Sequence, residues 1–261
     1  MNILDKIVID KRQEVDLRKS LIPLRQLEGS VLFERETNSL AERLRASASG
    51  IIAEHKRRSP SKSVINQSLN VQDVASGYEN AGVCGMSVLT DGKYFGGALD
   101  DLLLARASCT MPLLRKEFII DPYQIIEAKA YGADVILLIA AILTKNEIKE
   151  FSELAKSLNL DVLLEVHNQE ELHKSIMPSL DMLGVNNRNL KTFDVSLETS
   201  KVLSEQIPND FVKVSESGIS SIDAIKELQP YGYKGFLIGE KFMKTDNPGQ
   251  SALEFIKALE P

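Results

Sequence analysis

Eight short apolar runs, at 51–55, 86–89, 113–116, 135–139, 162–166, 182–185, 211–214 and 236–238, recur roughly 20–35 residues apart. That spacing is the tightest constraint in the chain. It leaves room for one loop, one helix and a second loop between strands, but not for a hairpin meander. Several runs are apolar at successive positions, so both faces are buried, as parallel sheets require. Helical patterns fill the gaps. "DPYQIIEAKAYGA" opens with Asp121 as N-cap and Pro122 in the first turn. "NVQDVASGYENAG" ends at Gly82, and "TKNEIKEFSELAKSLNL", "SSIDAIKELQPYG" and "NPGQSALEFIKALEP" have similar apolar spacing. Eight strand–helix units predict an α/β chain forming a single (βα)8 barrel, with a doubly wound open sheet as the competing fold.

The chain has 261 residues, 43% of them hydrophobic, which suffices for one large core. Neither linker nor low-complexity tract divides it, so 1–261 reads as one domain. Residues 1–48 form a helical extension packed on the barrel. There Ile3, Leu4, Ile7 and Val8 have helical spacing, Val15 extends the face and Pro23 interrupts it. A second helix begins near Asn38 or Ser39, with Ala41 and Leu44 on its apolar face.

A net charge of −6 argues against a nucleic-acid partner. Two cysteines, Cys84 and Cys109, and no CxxC fit a reducing compartment. The start mixes charges among its apolar residues, unlike a signal peptide, and the longest apolar run, 135–143, is too short to span a bilayer. The expectation is a cytoplasmic protein without membrane contact, a monomer or weak homo-oligomer. Neither GxxxxGK[ST] nor a post-strand GxGxxG is present, and no His, Cys or carboxylate spacing matches a metal site.

Polar residues gather at the strand ends. In "IIAEHKRRSP", Glu54 and Lys56 share parity with Ile52. Lys116 follows Leu114, Glu165 follows Leu163, Asn186 and Arg188 keep step with Gly184, and Glu216 follows Val214. Five strands thus place aliphatic residues in the barrel interior and then a charge or amide at the C-terminal end, the active-site face of such barrels. Three acids beside three bases would shift one another's pKa values, as acid–base catalysis needs. His55 has the opposite parity and faces a helix or solvent. His167 and His173 flank a polar turn and read as structural. Lys213 reads as an outer-face residue.

"SESGIS" follows the seventh strand and "LIGEKF" ends the eighth. Ser217, Gly218 and Gly239 there let backbone N–H groups approach an anion, which makes a phosphate-bearing substrate the expectation. Glu240 beside that anion must turn its carboxylate away. Ser59 and Pro60 open the loop after the first strand, with Ser59 a donor to ligand. Phe95, between Gly92 and Gly96-Gly97, reads as a hinged aromatic flap. Phe118, Leu137, Ile139 and Leu190 form an apolar wall suited to an aromatic ring.

Taken in order, "IIAEHKRRSPSKS", "SVLTDGKYFGG", "LLRKEFIIDPYQIIEAKAYGADVILLIAAIL", "LLEVHNQEEL", "LGVNNRNLKTF", "VSESGI" and "GFLIGEKFM" resemble the indole-3-glycerol phosphate synthase family of tryptophan biosynthesis. The resemblance implies an anionic small-molecule sugar phosphate as substrate, 1-(2-carboxyphenylamino)-1-deoxyribulose 5-phosphate. It implies indole-3-glycerol phosphate, CO2 and water as products, with no metal or organic cofactor. By the same resemblance Glu54, Lys56, Lys116, Glu165, Asn186 and Glu216 are active-site residues, with Arg188 and Ser217 beside them. Gly218 and Gly239 would contact phosphate. Many members carry serine where this chain has Glu240, so a hydroxyl contact is lost there while the backbone N–H remains. Lys116, its pKa lowered beside other cations, is expected to protonate the ketone at ring closure. Glu165 is the expected base of dehydration. Lys56, oriented by Glu54, would hold the carboxylate or protonate the leaving hydroxyl, and Asn186 and Glu216 would orient hydroxyls and amine. The rival readings are another phosphate-binding barrel enzyme, such as a sugar-phosphate isomerase or Schiff-base aldolase, and a non-catalytic ligand-binding barrel.

Overall fold

The apolar runs fold as eight parallel strands paired in chain order, the last with the first, in a computed structural model that describes residues 3–60, 62–190 and 192–259. They are β1 (Ile51–His55), β2 (Gly85–Leu89), β3 (Leu113–Lys116), β4 (Val135–Ile139), β5 (Asp161–Val166), β6 (Met182–Asn186), β7 (Val212–Glu216) and β8 (Tyr233–Ile238). The closed barrel excludes the open sheet. Ser61, part of the expected loop after β1, lies outside the described residues.

The parity read from the sequence holds. Ile52, Leu114, Val135, Leu137, Leu163, Met182, Val212, Val214 and Leu237 share one inner cluster. Their neighbours Ile51, Ala53, Met86, Leu113, Ile136, Val162, Leu183 and Phe236 belong to the outer cluster, under the helices. Because strand side chains alternate faces, a one-residue slip in any strand would exchange these two sets. Five strands differ at their ends from expectation: β2, β5 and β8 begin earlier, at Gly85, Asp161 and Tyr233, β6 reaches Asn186, and β7 omits Phe211 and runs on to Glu216, so this carboxylate is part of the ladder, opposite Asn186 and Leu237.

Among the described residues three helices precede the barrel: α1 (Ile3–Leu21), α2 (Leu24–Glu28) and α3 (Leu40–Ala46). The sequence reading missed α2, whose five residues are too few to show a helical period. Ser39 caps α3 by accepting a hydrogen bond from Glu42 N. Leu40, Ala41 and Leu44 join the inner cluster, so α3 closes the end of the barrel where the strands begin. Buried Asp134 accepts from Arg35, Arg106, Asn38 N and Leu113 N, fixing the extension to that end.

The outer helices are α4 (Val71–Asn80), α5 (Gly92–Phe95), α6 (Leu99–Ser108), α7 (Pro122–Ala130), α8 (Lys145–Ser157), α9 (Gln169–Ser175), α10 (Glu198–Ser204), α11 (Ile222–Leu228), α12 (Glu240–Met243) and α13 (Pro248–Lys257). Asp121 caps α7 as expected, and Thr144 with Glu147 forms a reciprocal capping box on α8. Among the described residues no helix is long and apolar enough to cross a membrane.

Candidate active site

At the C-terminal ends of the strands the barrel opens into a cavity of ≈ 770 Å³. Each of the residues selected from the sequence lines it: Glu54, Lys56, Ser59, Phe95, Lys116, Phe118, Leu137, Glu165, Asn186, Arg188, Leu190, Glu216, Ser217, Gly218, Gly239 and Glu240. Convergence follows from the ladder. Glu165 pairs in register with Ile139 and Gly184, Asn186 with Glu216, and Lys116 with Leu89. Glycine at two inner positions makes room for the acids. A Cβ at Gly184 would meet Glu216 Oε1 at 2.5 Å, and one at Gly239 would meet Glu54 Oε1 at 2.5 Å. The approach of Glu54 is therefore reason enough for glycine at 239.

The expected Glu54–Lys56 pair forms, whereas the partners of Lys116 were not shown by the sequence. Lys116 Nζ lies 3.0 Å from Glu165 Oε2 and also contacts Glu216 Oε2, while Lys56 Nζ lies 2.5 Å from Glu54 Oε1. Arg188 instead donates to the carbonyl of Phe193. Lys116 thus has carboxylates, not cations, as its nearest charges, which corrects the expected lowering of its pKa. Burial pulls the ammonium down, but the charges of Glu216, Glu165 and Glu54 outweigh burial and raise it. Burial likewise works against the Glu165 charge, yet Lys116 and His167 hold that carboxyl well below its usual range. Glu216 goes the other way. Desolvation, with Glu165 and Glu54 adding repulsion, outweighs Lys116 and pushes it up to about 7. Two acids share one ammonium, and their environments drive them apart.

The apolar wall is present. Phe95 and Phe118 rings are 5.9 Å apart, tilted by 35°, above Leu137 and Ile139. The expected hinged flap is instead a short pinned helix. Asp91 caps α5 through Tyr94 N, Arg58 donates to the carbonyls of Gly92 and Lys93, and Asp10 of α1 receives Lys93 and Tyr94. Beneath it lies Lys11, 2% exposed, 2.8 Å from Asp91 and 3.0 Å from Glu117. Burial opposes its charge, but Glu117 and Asp91 raise its pKa above the ordinary value. Lys11 sits four residues from both Ile7 and Val15, on the buried stripe of α1. Its place on that apolar face was the available signal, and it was overlooked because lysine rarely stays buried. Ile3, Leu4 and Ile7 of the same helix reach the cavity, which the sequence reading also missed.

At the far side, Ser217 and Gly218 take the left-handed conformation, with φ of 66° and 79°. Buried Asn187 fixes this turn, donating to Ser217 O and Ser215 Oγ while Ser200 donates to its own oxygen. Glu240 does turn aside. Its Oε1 lies 2.7 Å from Lys62 and 2.5 Å from Lys244, and those lysines hold its pKa down at about 2.

The histidines divide. His55 is buried on the outer face of β1, not in solvent, and burial with nearby Arg57 lowers its pKa to about 4. His173 contacts Gln206, away from the cavity. His167, expected to be structural only, lies 3.3 Å from Glu165 Oε1. Lys213 is an outer-face residue, donating to Ser204 O.

Comparison with known proteins identifies the family. The family model for indole-3-glycerol phosphate synthase matches residues 4–255. A Bacteroides thetaiotaomicron indole-3-glycerol phosphate synthase is 47% identical over 259 residues, covering 99% of each chain. One from Acinetobacter baylyi is 43% identical over 253 residues, 97% of this chain and 94% of that one. Among solved structures, 3-hexulose-6-phosphate synthase from Salmonella typhimurium superposes with a TM-score of 0.64 at 12% identity, over 80% of this chain and 98% of that one. A chain of the Pyrococcus furiosus tryptophan synthase α2β2 complex superposes with a TM-score of 0.59 at 14% identity, over 81% and 97%. These two show the fold alone. The match over nearly the whole length, with relatives this similar, places the chain in the indole-3-glycerol phosphate synthase family, carboxy-lyases of tryptophan biosynthesis.

Proposed function

We propose that the family's reaction runs at the Lys116–Glu165–Glu216 cluster, with the aromatic ring of the substrate against Phe95 and Phe118 and its phosphate at Ser217, Gly218 and Gly239. The reaction converts 1-(2-carboxyphenylamino)-1-deoxyribulose 5-phosphate to indole-3-glycerol phosphate, CO2 and water. Its first step joins the carboxyl-bearing aryl carbon to the ketone carbon while the ketone oxygen takes a proton. Loss of CO2 returns its electron pair to the ring. Dehydration then expels the former ketone oxygen as water while a base removes one proton from the adjoining carbon, which completes the indole.

Lys116 is the acid of ring closure. Two carboxylates make a lysine a weak acid, so one of them must be neutralised first. Glu216, titrating near 7, does this. When it carries the proton, Lys116 keeps only the charges of Glu165 and Glu54 and becomes more acidic. Once Lys116 has given its proton to the ketone, Glu165 has lost one cation and becomes a stronger base for the later dehydration. Lys56, held by Glu54, is placed to bind the substrate carboxylate or protonate the leaving hydroxyl, and Asn186 orients the sugar hydroxyls. Ser59 donates to substrate, Leu137 and Leu190 extend the apolar wall, and Arg188 supplies positive charge. Glu240 offers its backbone N–H to phosphate while its carboxylate stays with Lys62 and Lys244. The oligomeric state we propose is a monomer or weak homo-oligomer.

The observation that carries this reading is the ammonium of Lys116 in contact with two buried carboxylates at the mouth of the barrel. The test is to incubate the purified protein, and its Glu165→Gln variant, with the carboxyphenylamino sugar phosphate and follow indole fluorescence. Turnover by wild type and a loss of about 10²-fold or more in the variant are expected. Near-normal turnover by Glu165→Gln removes Glu165 as the base.

A further inference from the structure

His167 directly follows β5, and its ring lies between two carboxylates, hydrogen-bonded to Glu171 and in ion-pair contact, without hydrogen-bond geometry, with Glu165. Nε2 lies 3.3 Å from Glu165 Oε1, and Nδ1 lies 3.1 Å from Glu171 Oε2. Glu171 belongs to α9 and is itself immobilised. It accepts from the backbone N–H of His167 and from the Asn168 side chain, while its own N–H is capped by Asn168 Oδ1. The ring is 9% exposed and is not part of the cavity wall, so it reaches substrate only through Glu165.

Glu165 therefore has one oxygen on Lys116 and the other on His167. We propose that His167 is a positioning residue for the dehydration step: anchored by Glu171, it holds the Glu165 carboxylate in place after Lys116 has given up its proton. The inference rests on Glu165 being the base. A carboxylate held by one contact can turn about its last bond, and a base must stay within about 3 Å of the proton it takes. During ring closure Lys116 fixes Glu165. After the transfer its ammonium charge is gone, and the imidazolium is the remaining cation on this carboxylate. The charged groups that face His167 are Glu165 from β5 and Glu171 from α9. Burial opposes its protonation, but contact with these two acids raises its pKa to about 10, so the cation persists through the neutral range. The arrangement repeats the acid–imidazole–acid logic by which an outer group fixes the orientation of an inner one.

The two stages can be timed separately in one turnover. Wild type, His167→Phe, His167→Gln and Glu171→Gln would be mixed with less than one equivalent of substrate, and CO2 release and indole appearance followed together. Expected for His167→Phe is indole formation slowed about 10–100-fold, with CO2 release changed less than threefold, so that a decarboxylated, still hydroxylated species accumulates. His167→Gln retains a hydrogen-bond donor without the charge and should shorten that lag. Glu171→Gln should show a smaller lag of the same kind. Parallel slowing of both products in the histidine variants, or no lag in either, overturns the inference. Melting curves of all variants show whether any is simply unfolded, and His167→Gln, the milder change, decides if His167→Phe is. Failure of the underlying reading has its own signature, normal turnover by Glu165→Gln.

Discussion

Replacing Glu216 by Gln keeps the shape of the side chain and removes its charge, which isolates what ionising this buried acid does to the fold. Glu216 is 2% exposed, and its pKa rises from an ordinary 4.5 to about 7. Each unit corresponds to about 1.4 kcal/mol, so the charged form is disfavoured in the fold by about 3 kcal/mol. The folded state holds the proton more tightly than the unfolded chain. The associated stability is therefore fully present below 4.5 and is lost as pH rises through about 7. Between pH 5 and pH 8 the wild type should lose about 2–3 kcal/mol that Glu216→Gln does not. Urea unfolding of both proteins at the two pH values measures the change for Glu216 together with the groups coupled to it, Lys116, Glu165 and Glu54, because more distant titrating groups cancel in the difference. The stability of the variant relative to wild type should rise by about 2–3 kcal/mol, or roughly 5–10 °C in Tm, between pH 5 and pH 8. A difference that stays constant within about 0.5 kcal/mol across that range, inside the error of extrapolation, refutes the reasoning. It would mean that Glu216 titrates as an exposed acid does.

Lys11→Met leaves Asp91 and Glu117 buried without their shared cation. It should cost about 3–5 kcal/mol of stability in thermal or urea unfolding, and the accompanying release of α5 should raise KM through Phe95. In Glu240→Gln, Lys62 and Lys244 lose their carboxylate, and their charge would act unopposed on a phosphate at the proposed Ser217–Gly218–Gly239 site. KM for the sugar phosphate should fall by up to about fivefold, an effect that shrinks when the assay is repeated in high salt. Gly184→Ala brings a methyl to 2.5 Å from Glu216 Oε1, so activity should fall well before the barrel loses stability, measured as kcat against Tm.

The features legible in the sequence were those that obey a local rule. Strands buried on both faces must alternate, so Ile52 with Glu54 and Leu163 with Glu165 declared which side chains point inward. The caps Ser39 and Asp121 follow from unsatisfied N–H groups at helix starts. What stayed hidden depends on barrel closure. That Lys116 meets acids from β5 and β7 is set by the stagger between strands up to 100 residues apart, and the expected sign of its pKa shift was wrong for that reason. His167 and Lys11 were hidden differently. Each is a polar residue whose partners lie on another element, so its local pattern resembles that of an ordinary turn or helix residue.

The central claim is that the Lys116 ammonium, held by two acids, starts the reaction by protonating the ketone. The most direct measurement is a single turnover of Lys116→Met, following CO2 release while an equilibrium titration confirms that the carboxyphenylamino sugar phosphate still binds. The account predicts binding within about tenfold of wild type and CO2 release slowed by about 10²–10⁴-fold. CO2 release at close to the wild-type rate from that variant would contradict it.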